Sequence, residues 1–475
     1  MTSTAIRQTL PTRAASAGAD STSAQGLYSL RAATIWQAFR RQPLSFWLVC
    51  IYMLFEYVRP QAIYTALQGI PWAEILILAT PIAFVLEGGR IRAKNPINLW
   101  MIVFSGAVLL SWLFAQYPQA SADQMFIYVN WVMVYVLVAN IANTEMKFFL
   151  FFGLFLLASF KMSQHGARSW IERGFSFAKW GATGAPGWFH NSGEFGIQMC
   201  VFFPLTLYFM GALKKYWPTW KQVLFLAFPV TAVMSLIATN SRGALVGAGA
   251  VAIWMLARTR HRVRAFVGLG LLAALVILVM PEEQKARFRT MGDDKTSESR
   301  LTYWRHGIEI FKAHPVTGIG YENWGTYHEA TYGMTALPHN IFIQGGAELG
   351  SLGLIGMVGL IVSSFVVNRR TRKLAARLGE RGRFMEMTAR GLDGAMIGYI
   401  GSGFFITVLF YPFLWFALGL TSALYAAALA ASQAAPMNPG RPAAPSPNRQ
   451  RGWRTASLAP VRTARQSLLS QPGNR

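Results

Sequence analysis

Long apolar runs broken by short polar connections dominate this chain. They fall at about 44–58, 70–86, 97–115, 124–142, 147–162, 194–213, 220–239, 243–257, 264–280, 340–367, 391–410 and 412–431. A helix of about 20 apolar residues crosses a bilayer. The pattern therefore predicts an all-α polytopic membrane protein with about twelve transmembrane helices. Residues 1–42, rich in Ser, Thr, Ala and Arg, read as a disordered tail. Residues 43–431 form the membrane domain, interrupted by one large polar loop at 281–338. Residues 432–475 form a second disordered tail, with seven Arg and no Asp or Glu after Pro436.

Composition sharpens this picture. The chain is 53% hydrophobic and 13% charged, against about 25% charged in soluble domains. No stretch before Pro43 has the charged start, short apolar core and cleavage site of a signal peptide, so none is expected. The net charge of +24 would suit nucleic acid, but the excess sits in short loops and tails beside apolar runs, and no nucleic-acid partner is expected. Arg90, Arg92 and Lys94 occupy one connection; Lys214, Lys215 and Lys221 another; Arg258, Arg260, Arg262 and Arg264 a third; a basic cluster at 369–390 the fourth. Lys and Arg accumulate in short cytoplasmic loops. With twelve spans, this alternation puts both termini in the cytoplasm and the 281–338 loop outside. Cys50 and Cys200 both fall in apolar runs, which gives neither a disulfide framework nor a metal site.

The richest stretch for chemistry is 336–350. Its polar lead-in ends at Pro338, His339 and Asn340 follow, and an apolar run begins. His339 should therefore sit where an outward loop meets the membrane. Glu348 lies about 12 Å further along a helix rising about 1.5 Å per residue. An ionisable group at that depth costs at least ~2.5 kcal/mol unless it faces protein or water. About 180° of helix separates it from His339, at about 100° per residue. It is thus suited to orienting a neighbour or bracing an Arg, rather than to partnering His339.

Three other segments should face outward. Residues 163–193 interleave aromatics with Arg and Lys and include Trp188 and His190, with Glu194 next; this suits a membrane interface and would also suit sugar stacking beside an anionic head group. In the turn 239–243, Arg242 stands alone between two apolar runs. It either snorkels to the surface or is held in the bundle by the close helix approach that the small residues at 243–250 allow. In the 281–338 loop, eight acidic and seven basic residues nearly balance. Arg300, Leu301, Trp304, Ile308 and Phe311 follow the spacing of one helix face there, with Ser297 or Ser299 as cap.

These pieces resemble the O-antigen ligase and polymerase family of bacterial inner-membrane glycosyltransferases. The resemblance rests on Ser241-Arg242-Gly243-Ala244 between two spans, on Arg300 to Trp304 running on to Pro315, Gly318 and Gly320, and on His339-Asn340 with Gln344, Glu348 and Gly350 opening the next span. It covers about 220–365 well and the rest by topology. It implies a glycosyltransferase facing the periplasm that moves a glycan from an undecaprenyl-pyrophosphate carrier to a hydroxyl on a glycan, a lipid A core or a protein. Segment 187–194 departs from the pattern, with a His and a Glu at the span entry.

Within that resemblance the residues divide by chemistry. Leaving pyrophosphate gains charge, which planar Arg forks stabilise in a water-poor site. Arg242 and Arg300 are the candidates, with Arg305 a weaker third. The acceptor hydroxyl loses a proton, and a neutral His suits that step; His339 is the candidate, although a His at this position can equally order the loop–helix junction. Trp304, Asn340, Gln344, Glu348, His190 and Glu194 are expected to bind substrate. Asp123 and Glu172 are isolated, and Asp293 with Asp294 sit in a mixed loop, so no Mg²⁺ site, other metal or cofactor is expected. The alternative function is a flippase for polysaccharide or lipid-linked oligosaccharide. A transporter should show internal repeats and charges spread through central spans, and no repeat is visible.

Overall fold

The computed structural model describes residues 26–91, 94–176, 181–259 and 295–434, with scattered positions between 263 and 278. The expected span at 264–280 therefore lies largely outside the described residues, as do Asp293, Asp294, residues 1–25 of the first tail and nearly all of the second.

The described residues are helical, with no strand among them. In chain order the main helices are α1 (Ala32–Arg40), α2 (Leu44–Tyr57), α3 (Trp72–Leu86), α4 (Pro96–Leu113), α5 (Pro118–Ile141), α6 (Glu145–Glu172), α7 (Ser192–Leu213), α8 (Thr219–Phe225), α9 (Ala227–Ala238), α10 (Arg242–Arg258), α11 (Lys295–Ala313), α12 (Trp324–Tyr332), α13 (Ile341–Arg377), α14 (Arg383–Gly403) and α15 (Pro412–Ala434). Seven helical stretches among the described residues are long and apolar enough to cross a membrane: Pro96–Leu113, Pro118–Ile141, Glu145–Glu172, Ser192–Tyr216, Thr219–Ala238, Ile341–Arg377 and Pro412–Ala434. Leu44–Tyr57 and Trp72–Leu86 are apolar but shorter. Apart from 264–280, every apolar run in the sequence carries helix.

Polar side chains set several helix starts, by accepting from backbone N–H groups that the first turn leaves unpaired. Asn95 accepts from Ile97, Thr144 from Lys147, Ser241 from Ala244, and Asn340 from both Phe342 and Ile343. Helix α14 packs between α7 and α10 and against α13. Small residues permit this close approach: Gly398 lies against the Cys200 carbonyl and Val251, and Gly247 against Ser402. Large apolar side chains such as Leu78, Ile82, Leu99, Ile102, Ile253 and Ile355 point out of the bundle, a surface that suits lipid and would be a liability in water.

Several boundaries differ from the sequence reading. Segment 26–42 is not a featureless tail: it contains α1, Leu27 and Tyr28 are buried, and the Tyr28 carbonyl accepts from Trp217 Nε1 at 2.8 Å. Helix α6 runs through to Glu172, because its outer turns still bury Gly166, Ala167 and Trp170. The outward connection is thus shorter than 163–193. Helix α14 ends at Gly403, so 404–411 is a connection and not the end of a span. The α11 face also differs. Gly307 and Ile310 are buried, with Tyr303 packed beside them, whereas Leu301 and Ile308 are exposed. The described helix opens at Lys295, so Ser297 and Ser299 fall inside it.

Candidate functional site

The connection 404–411 is where the expected site residues meet. Trp304 of α11 lies with its ring 5.5 Å from Phe404 and 6.1 Å from Phe405. The His339 N–H donates to Thr407 Oγ1 at 2.9 Å. Gly243, next to Arg242 at the start of α10, packs on Phe405 and Ile406, and Gly193 at the start of α7 packs on Ile406. Tyr411 meets Trp188 edge to face at 5.0 Å. The helix starts that carry His190, Arg242 and His339, and the helix that carries Arg300, therefore border one eight-residue strip.

His339 is fixed from both sides. The Pro338 carbonyl accepts from Trp304 Nε1 at 3.0 Å, and Asn340 caps α13 through Oδ1 at 2.8 and 3.2 Å. Asn340 is 2% exposed, so its side chain is committed to the helix start. His339 has a positive φ of 47°, a left-handed conformation that costs about 1–2 kcal/mol in a non-glycine residue; such strain concentrates at functional sites. Burial, and then the nearby Arg300 charge, push the His339 imidazole down to about 4. The ring is consequently neutral near pH 7. Arg242 and Arg300 are half-buried, and Arg305 is exposed.

Glu348 is buried, 1% exposed. Its Oε1 accepts from the Trp324 N–H at 3.3 Å and its Oε2 from Gln344 Nε2 at 3.2 Å, so it braces the start of α12. The cause lies at Gly350, whose φ of 64° and ψ of −162° break α13. A break strands two carbonyls and two N–H groups, and the 315–320 loop satisfies all four. Ile319 and Gly320 N–H donate to the carbonyls of Ala347 and Glu348 at 3.0 and 3.1 Å. Ser351 and Leu352 N–H donate to those of Pro315 and Val316 at 2.8 and 3.4 Å. The fit demands glycine at Gly318: its φ is +70°, and an added Cβ would lie 2.3 Å from the Glu348 backbone. Ile310, Ile319, Trp324 and Ala347 form a separate small core over this junction.

Two further histidines support the lead-in to His339. Because the Met334 carbonyl can only accept, His328 Nδ1 carries the proton in their 2.7 Å bond. His328 Nε2 then accepts from His306 Nδ1 at 3.0 Å. Tyr332 stacks on His306 at 3.7 Å, and Trp324 Nε1 donates to the Ala336 carbonyl at 2.8 Å.

On the other side of the strip, Asn191 and Glu194 form a capping box at the start of α7. The entry at 187–194 thus does use an Asn cap, and its Glu serves the same helix start. Glu194 is 7% exposed, while His190 is exposed and lies 3.8 Å from it. Trp188 Nε1 donates to Glu56 Oε2 at 2.8 Å, and Glu56 lies 3.9 Å from Arg59. Glu322, in the loop before α12, acts on Tyr411 through its charge, and burial pushes its carboxyl up to about 7. Glu56, Arg59, Glu322, Tyr411 and the 404–411 strip escaped the sequence reading. One signal was available: Glu56 and Arg59 stand i, i+3 at the end of an apolar run, just before Pro60.

Among the described residues, no group of three or more His, Cys, Asp and Glu is placed to hold a metal ion. No curated protein matches the chain. The family model described as O-Antigen ligase matches residues 226–377, a stretch that includes Arg242, Arg300, the broken α13 and His339. Over that stretch, the chain is O-antigen ligase-like.

Proposed function

We propose that this protein transfers a glycan from an undecaprenyl-pyrophosphate carrier to an acceptor hydroxyl at the periplasmic face of a bacterial inner membrane. The observation that carries this reading is the meeting of Arg300, the start of α10 at Arg242, and His339 along one connection, within the O-antigen ligase match. In this reading Arg242 and Arg300 hold the pyrophosphate and stabilise the charge it gains on leaving. His339 accepts the proton of the attacking hydroxyl. As that hydroxyl oxygen bonds to the anomeric carbon, the bond to pyrophosphate breaks and its electron pair stays on phosphate.

Burial, and then the Arg300 charge, make the free His339 a weak base, and bound pyrophosphate offsets that charge. The base is therefore strengthened when donor is present. Trp304 positions His339 through the Pro338 carbonyl, whereas Asn340, Gln344 and Glu348 are structural rather than substrate-binding. The guanidinium groups carry the pyrophosphate charge without a metal. The membrane is crossed about twelve times, with both termini cytoplasmic; the sorting of Lys215, Lys221, Arg372 and the 26–42 segment to the end opposite His339 supports this.

The test is transfer by the purified full-length protein in vesicles, given lipid-linked donor and acceptor, with chelator present and neither ATP nor an ion gradient. Product formation is the expected result. Movement of donor across the bilayer with no new glycosidic bond would favour the flippase.

A further inference from the structure

The strip at 404–411 separates two chemically different halves of this end of the bundle. One half holds Arg242, Arg300 and His339. The other holds Trp188, His190, Glu194 and Tyr411, with Glu56 and Arg59 around them. The Gly187 carbonyl accepts from His190 Nδ1. A carbonyl has no proton to give, so in the neutral ring Nδ1 carries the hydrogen and Nε2 keeps its lone pair. The ring is exposed, so that lone pair is open to an incoming hydroxyl. Trp188 and Tyr411 are half-buried and meet edge to face at 5.0 Å, with Trp131 packed behind Trp188 at 5.3 Å. The Tyr411 hydroxyl lies close to the Glu194 carboxyl. Rigid aromatic rings flanked by hydrogen-bonding groups of fixed orientation suit a sugar ring, whose faces are apolar and whose rim is hydroxyl.

The charge balance identifies which sugar. Two carboxyl groups, Glu56 and Glu194, stand in this half, and the one guanidinium described there, that of Arg59, packs on Gly187 and is turned to Glu56. Arg59 thus offsets Glu56 and leaves the Glu194 charge, which disfavours an anionic ligand here, whereas the opposite half attracts one. We propose that Trp188, His190, Glu194 and Tyr411 seat the acceptor, and that this acceptor is an uncharged, hydroxyl-bearing sugar. The proposal rests on the transfer reading for what the seat is used for, but binding at the seat is measurable without transfer.

The experiment uses the full-length protein in vesicles, with methyl glucoside and its phosphate monoester as probes. Donor-free binding is followed by tryptophan fluorescence, and acceptor KM and kcat are measured beside donor affinity. Glucoside should bind and should be preferred over its phosphate. His190→Ala should raise acceptor KM by about tenfold, the scale of one lost hydrogen bond, and leave donor affinity unchanged. Glu194→Gln keeps a capping-box residue at that position and removes the charge, so it should narrow the preference against the phosphate ester. Equal use of the two probes by the wild type, or loss of donor affinity in His190→Ala, would overturn the proposal. If no transfer occurs at all, glucoside binding lost in Trp188→Phe and His190→Ala still supports the seat, and absence of binding in the wild type refutes it.

Discussion

The Glu348 carboxylate accepts the Trp324 backbone N–H at 3.3 Å, joining α13, about two turns from its start, to the start of α12. On the proposed reading Glu348 is architectural. Glu348→Ala should remove a buried acceptor and lower stability by about 1–3 kcal/mol. Glu348→Gln, which keeps an oxygen in place, should lose much less. Thermal unfolding in detergent ranks the two, and donor affinity of the folded Gln variant should match wild type. A Gln variant as unstable as the Ala variant would mean that the charge itself is required.

The loop that fills the α13 break should be intolerant of one methyl group. Gly318→Ala forces a left-handed alanine, worth about 1–2 kcal/mol, and pushes its Cβ into the Glu348 backbone. Gly325→Ala in α12 meets nothing within 4 Å and should be neutral or stabilising by up to ~1 kcal/mol. Expression level and unfolding temperature should separate the two variants, and equal behaviour would contradict the loop docking described above.

Much of this was legible in the sequence, for physical reasons that differ by element. The span pattern was legible because lipid-facing and buried helix faces are both apolar. The caps Ser241 and Asn340 were not read as caps, because the same side chains carried the family resemblance and an expected substrate contact. The role of Glu348 was not: its partner, Trp324, lies 24 residues away across a loop, and only the break at Gly350 brings them together. The strip at 404–411 was invisible because Phe404, Phe405, Ile406, Val408 and Leu409 read as continuous apolar span. The α11 face was misassigned because Leu301 and Ile308 share the spacing of a buried stripe, while the neighbour α13 selects Gly307 and Ile310 for the contact.

The proposed orientation rests on the sorting of charge between the two ends. Reporter fusions at Arg377 and at Glu322 should read opposite sides of the membrane, with Arg377 cytoplasmic. Equal readings, or the reverse, would remove the periplasmic placement of His339.

The pH dependence has a defined sign. The His339 imidazole is held at about 4 when folded, against about 6.5 for a free histidine. Between these values the unfolded chain binds more protons, so this residue's contribution makes stability rise with pH from about 4 to 6.5 and level off above. The acidic limb that His339 imposes on kcat/KM should accordingly lie well below pH 6.5. Arg300→Gln should move it upward, because one cause of the depression is gone. An unshifted limb in Arg300→Gln would show that Arg300 and His339 are not electrostatically joined.

The most direct measurement is donor affinity beside turnover in Arg242→Lys, Arg300→Lys and His339→Ala, with folding checked in each. The lysines keep charge and lose the planar fork that matches phosphate, so both should bind lipid-linked donor more weakly and turn over well below wild type. His339→Ala should bind donor as wild type does and lose roughly 10²–10⁴ in turnover, the scale of a missing general base. Turnover near wild type in His339→Ala would contradict its role as base, and lysine variants with unchanged donor affinity would contradict the pyrophosphate clamp.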